Sequence, residues 1–96
     1  MVAWLFASVQ SINDPAGFGE YQQLAGATLA KYGGKVLGGG NKVEVMDGDW
    51  SPVAVLAIEF ESLAKAKEWY NSSDYQAVLP KRLSTTNSGV VFVDGG

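Results

Sequence analysis

The sequence contains neither cysteine nor histidine. Without cysteine there are no disulfides, no thiol catalysis and no thiolate metal sites. Without histidine the usual ligands of zinc, copper and haem are missing, and so is the commonest general base at neutral pH. Chemistry is left to carboxylates, lysine, tyrosine and the hydroxyls of serine and threonine, and neither a metal nor a cofactor is expected. Charge is also sparse. Asp, Glu, Lys and Arg make up 18% of the 96 residues, the net charge is −3, and the seven basic residues are scattered from Lys31 to Arg82. A protein that tracks a phosphate backbone concentrates its basic residues, so nucleic acid is not an expected partner. No run approaches the ~18 apolar residues of a membrane span, so no membrane partner is expected. The apolar start, Met1 to Val9, is short, has no basic leader and is followed by polar residues, so it reads as a strand and a cytoplasmic location is expected.

What is present is apolar and aromatic: 47% hydrophobic residues, with three Trp, four Tyr and four Phe. That composition belongs to a folded globular chain, and the length suits a single domain over residues 1–96. Val2 to Val9 places Trp4 and Phe6 on one face of a strand and Leu5, Ala7 and Val9 on the other. Asp14-Pro15 is a helix start, because Asp accepts orphan amide hydrogen bonds and Pro tolerates the first helical position. Phe18, Tyr21, Ala25, Leu29 and Tyr32 then recur at helical spacing until Gly33-Gly34 ends the helix. From Lys35 to Met46 the pattern is extended but interrupted by Gly38, Gly39 and Gly40, predicting a bent strand or a bulged hairpin that ends at Asp47-Gly48-Asp49. Val53 to Phe60 is a strand apolar on both faces until Glu59. Ser62 and Ser72 cap two further helices, and Pro80 is expected to kink or break the second. Gly89 to Val93 is the last strand.

The order strand, helix, strand, strand, helix pair, strand is that of a ferredoxin-like β-α-β-β-α-β fold in the α+β class. Three of its strands are apolar on both faces, yet so few helices cover only one face of a four-stranded sheet. A second copy packed sheet to sheet would cover the other, so a homodimer with a barrel-like core is expected. The alternative is that small residues such as Ala3, Ala7 and Ala57 tolerate exposure.

Several motifs carry a resemblance: Asp14-Pro15 with Phe18 and Tyr21, Gly33-Gly34-Lys35, Gly39-Gly40, Trp50-Ser51-Pro52, Ile58-Glu59-Phe60, and Trp69-Tyr70-Asn71-Ser72-Ser73-Asp74-Tyr75 with Arg82. In this order, over nearly the whole chain, they resemble the bacterial DUF1330 family, a domain of unknown function. The resemblance implies a dimeric α+β-barrel subunit and no established activity; its wider superfamily spans cofactor-independent monooxygenases, isomerases, haem-binding enzymes and regulatory domains. The chain departs from the family pattern at Lys35, where Arg is usual, at Gly38 and Ala54, where Arg is common, and at Ser73, which replaces a frequent Pro.

Glu59 is the carboxylate that interrupts an apolar strand. It is either a strand-end acid paired with Arg82, or a general base in a cleft. Tyr21 and Tyr75 are either packing residues with satisfied hydroxyls or proton donors beside that cleft. Arg82, Lys35 and Ser72 are candidate ligand contacts, with Ser72 also a helix cap, and Trp50 belongs either to the pocket or to an interface. The reading these residues support is a small molecule bound or transformed, without a cofactor, between sheet and helices. A ligand-sensing regulatory dimer and a purely structural module are the alternatives.

Overall fold

The computed structural model describes residues 1–96 as one four-stranded sheet with helices on a single face. In chain order the elements are β1 (Ala3–Ile12), α1 (Pro15–Lys31), β2 (Lys35–Gly40), β3 (Ala54–Phe60), α2 (Leu63–Asn71), α3 (Ser73–Thr85) and β4 (Thr86–Asp94). The strand order is β2-β3-β1-β4, with every neighbouring pair antiparallel. This is the ferredoxin-like arrangement that the element order predicts.

The helix starts follow the capping chemistry. Asp14 accepts from the Gly17 amide at 3.1 Å with Pro15 in the first turn. The Ser62 hydroxyl accepts from Lys65 N and that of Ser72 from Tyr75 N, both at 3.1 Å. The helices then bury one side of the sheet. Leu5, Ile58 and Phe60 meet Tyr21, Ala25 and Leu29 of α1, Ala66 and Trp69 of α2, and Tyr75 of α3. Full burial of side chains the size of Leu5 and Phe60 contributes about 1.5–3 kcal/mol each. The aromatic members pack ring on ring, with Trp69 and Tyr75 centroids 4.1 Å apart and Phe60 and Trp69 5.7 Å apart. The Trp69 indole donates to Thr28 Oγ1 at 2.9 Å, and Thr28 in turn donates to the Ala25 carbonyl, so the buried N–H is paired.

Because side chains alternate along strands, the register fixes what the other face carries. Trp4 lies opposite Glu59 and Val93, and Phe6 opposite Ala57 and Val91. The chain leaves much of this face uncovered: Phe6 is 39% exposed and Val91 58%. The two-faced apolar pattern of the sequence is thus real in the fold.

Four boundaries differ from expectation, among them β4, which begins at Thr86 rather than Gly89 because it follows α3 without a connecting residue. β1 runs on to Ile12, with a register shift between Val9 and Ser11. β2 stops at Gly40 rather than continuing to Met46, because β3 begins only at Ala54 and offers no partner beyond the Gly40–Val55 pair. Its bulge lies between Val36 and Gly38. At Gly39, φ is +138° and a Cβ would stand 2.3 Å from the Val55 carbonyl oxygen, so glycine is required there. Finally, α3 runs unbroken through Pro80. Pro80 and Gln76 are both exposed, so the carbonyl that loses its helical donor is one that solvent can satisfy.

Candidate functional site

Between the helices and the sheet the core is incomplete. A cavity of about 170 Å³ is walled by Leu5, Ala7, Ala25, Leu56, Ile58 and Val90, with Tyr21, Tyr75 and Arg82 among its lining residues. A second lobe of about 130 Å³ shares Ala7, Gln22, Leu56 and Arg82 with the first and extends past Phe18 to Ala54 and Ser88. The exposed residues Gln22, Gly26 and Val36 also line the first lobe, so the cleft opens between α1 and the β2 edge. The walls are apolar, and the polar groups come from helices.

Tyr21 comes from the buried stripe of α1 and Tyr75 from the first turn of α3, and their hydroxyls meet at 2.8 Å. Tyr75 is fully buried, whereas Tyr21 lies at the cleft and stacks on Phe18 at 5.8 Å. Burial first, and then the hydrogen bond to Tyr75, push the Tyr21 phenol well above its ordinary range, and the charge of Arg82 acts weakly the other way. Tyr21 therefore stays a neutral phenol at physiological pH, suited to donating a proton or hydrogen bond and unsuited to accepting a proton.

Arg82, in the last turn of α3, is 7% exposed. Its Nη1 donates to Ser88 Oγ at 3.1 Å. Thr86 Oγ1 lies 2.8 Å from the Arg82 carbonyl and 2.7 Å from Ser88 Oγ. The single Thr86 proton goes to the carbonyl, so Ser88 must donate to Thr86 and accept from Arg82. This closed circuit holds the guanidinium in place but leaves Nε buried with no partner. The chain's ion pairs, Lys31–Asp74, Lys65–Glu68 and Lys81–Glu20, lie elsewhere and do not involve Arg82.

Residues 2–96 match the family described as a domain of unknown function, DUF1330. The chain belongs to the DUF1330 family. No curated protein matches it in sequence. Solved structures match in fold. A protein of unknown function from Rhodopseudomonas palustris superposes with TM-score 0.80 at 18% identity, covering 99% of this chain and 82% of that one. A dimeric ferredoxin-like protein of unknown function from Bacteroides fragilis superposes with TM-score 0.65 at 13% identity, covering 97% and 95%. SnoaB, a cofactor-independent oxygenase from Streptomyces nogalater, superposes with TM-score 0.64 at 11% identity, covering 99% and 92%. These likenesses establish the fold.

Within this DUF1330 domain the candidate residues divide between the two faces of the sheet. Tyr21, Tyr75 and Arg82 share the cleft. Glu59 does not join them. Its neighbours Ile58 and Phe60 point into the helix-side core, so Glu59 points to the opposite face, opposite Trp4 on β1 and Lys35 on β2. Neither the expected pairing of Glu59 with Arg82 nor its convergence with the two tyrosines occurs, because one step along a strand reverses the face. Lys35 is exposed at the start of β2, and Trp50, 60% exposed, lines a depression on the open face with Phe6, Val55 and Val91. Ser72 accepts from Tyr75 N and donates to the Trp69 carbonyl at 2.6 Å, which is a helix-junction role. Gln22 and Ser88 line the cleft and went unrecognised in the sequence. Gln22, beside Tyr21 on α1, carried no distinguishing spacing, and Ser88 would have required the α3–β4 junction to be placed. A depression of about 690 Å³, lined by residues 38–43 with Phe6, Val55 and Ala57, is on the open face. It has no buried polar side chain.

Proposed function

We propose that the protein is a homodimer in which each subunit binds a small organic molecule in the cleft between α1, α3 and the sheet. One observation carries the reading: an apolar cavity reached from solvent contains a neutral phenol and a guanidinium that the fold pairs with nothing acidic. Pockets that orient small ligands combine apolar walls with a few convergent polar groups in this way. The dimer is supported by the uncovered Phe6, Val91 and Val93, since contiguous apolar faces mark association sites, and by the dimeric state described for the Bacteroides fragilis neighbour.

Cofactor-free catalysis is the second reading, favoured by the Tyr21 hydroxyl lying at one cleft with a cation, because two fixed donors stabilise negative charge developing on an oxygen. SnoaB is a cofactor-independent oxygenase on the same fold. Glu59 supplies no base to this cleft, so the chemistry open to it is polarisation and proton donation by Tyr21, with Tyr75 donating to the Tyr21 oxygen behind it.

The test is amide NMR of the protein titrated with p-cresol, a ring-sized neutral probe. Saturable shifts at Ala7, Gly26, Leu56 and Val90, lost in Ala7→Leu, which fills the shared centre of both lobes, are the expected result. Shifts confined to the open sheet face around Phe6 and Val91 would overturn the assignment.

A further inference from the structure

The chemical class of the occupant follows from what the cleft offers. We infer that it is a monocarboxylate with a ring-sized apolar body, its carboxylate on Arg82 and its body in the larger lobe; this rests on the cleft being a ligand site. Arg82 is more than nine-tenths buried. Its Nη1 is committed to Ser88, whereas Nε and Nη2 make no hydrogen bond within the chain. Those two nitrogens form one edge of the guanidinium, with parallel N–H bonds at the spacing of two carboxylate oxygens.

The charge balance of the lining points the same way. With Tyr75 as the donor in the bond between the two phenols, the Tyr21 hydroxyl keeps its own proton for a guest, and no carboxylate lines either lobe to compete for Arg82. A buried cation without a counter-charge favours an anionic guest over a neutral one. One guanidinium balances a single negative charge, so a phosphate dianion would bring charge that nothing in the apolar walls compensates. Size sets the rest. An apolar cavity of about 150 Å³ accepts benzene, and the larger lobe measures about 170 Å³. The smaller lobe, also lined by Arg82, leaves room for a substituent toward Phe18 and Ala54.

The experiment compares benzoate, benzamide and inorganic phosphate by calorimetric titration of the wild-type protein at pH 7, with amide NMR locating each site. Benzoate is expected to bind in the cleft at least ~10-fold more tightly than benzamide, as a charge-assisted hydrogen bond exceeds a neutral one by about that factor. Phosphate is expected not to saturate. Arg82→Gln should weaken benzoate by ~10- to 100-fold and benzamide by clearly less, because only benzoate loses a charge-assisted contact. Benzamide binding in the cleft as tightly as benzoate would overturn the carboxylate assignment while sparing the cleft, as would phosphate binding as tightly as benzoate. Binding of neither ring compound would overturn both. The wild-type comparison decides the matter even if Arg82→Gln fails to fold.

Discussion

Replacing Tyr21 by Phe should be more damaging than replacing Tyr75, although the two share a single hydrogen bond. The bond between the hydroxyls is 2.8 Å long and is the only one either makes. Both line the cleft, but Tyr75 has no solvent exposure whereas Tyr21 keeps 9%. Tyr21→Phe therefore strands the Tyr75 hydroxyl in a dry place, which costs about 1–3 kcal/mol. Tyr75→Phe leaves a hydroxyl that cleft water can reach, and the loss is about 0.5–1.5 kcal/mol. The double variant removes both polar atoms, so it should be no less stable than Tyr21→Phe. Urea denaturation at fixed protein concentration measures the cycle, with unchanged m-values as the check that only stability has moved. At this chain length each kcal/mol shifts the melting temperature by about 4–8 °C. The same bond predicts a pH signature. Tyr21 ionises at higher pH in the folded state than the ordinary phenol value of 10.0, so above pH 10 the unfolded chain releases a proton that the native state retains. The stability Tyr21 contributes is full below that value and is lost as pH rises past it; the Phe variant should lack this loss. Additive single losses, or a Tyr75→Phe penalty exceeding that of Tyr21→Phe, would refute the reasoning.

Two further outcomes are expected. Light scattering coupled to size exclusion should give twice the chain mass for the wild type and a folded monomer for Phe6→Glu, because Phe6 sits mid-strand on the uncovered face; a monomeric wild type at micromolar concentration would contradict the dimer. Gly39→Ala should lower stability by about 1–3 kcal/mol or more, since φ of +138° and the 2.3 Å approach to the Val55 carbonyl both oppose a Cβ. Circular dichroism melts of that variant beside Gly38→Ala, where a Cβ meets nothing within 4 Å, separate the local effect from glycine content in general.

Local signals in the sequence carried most of the fold. Asp14, Ser62 and Ser72 announced their helices through capping chemistry, and the alternation of Trp4 and Phe6 against Leu5, Ala7 and Val9 placed both faces of β1 correctly. Where the reading failed, the deciding information was not local. Lys42 to Met46 alternates like a strand, but a strand needs a partner, and none remains beyond Gly40. Pro80 broke a propensity rule that exposure makes inexpensive. The candidate site was half legible. Helical spacing put Tyr21 on the buried stripe, and Tyr75 and Arg82 followed on α3, but their meeting in one cleft depends on how α1 and α3 pack. Glu59 is the odd carboxylate in an apolar strand. That oddity reports a position on the uncovered face beside Lys35 and Trp4, and only the pairing register tells this from a place in the cleft.

The junction of α3 and β4 has no connecting residue: the helix ends at Thr85 and the strand begins at Thr86. Helical phase at Arg82 and strand phase at Val90 to Val93 are consequently locked to one another. One residue inserted here would exchange Val90 and Phe92, which pack inward, with Val91 and Val93, which face outward. It would also break the Arg82–Ser88–Thr86 circuit. Changes in chain length therefore have a place to occur in the irregular connection at 41–53 and none at this seam, where a single register serves both the cleft and the uncovered sheet face.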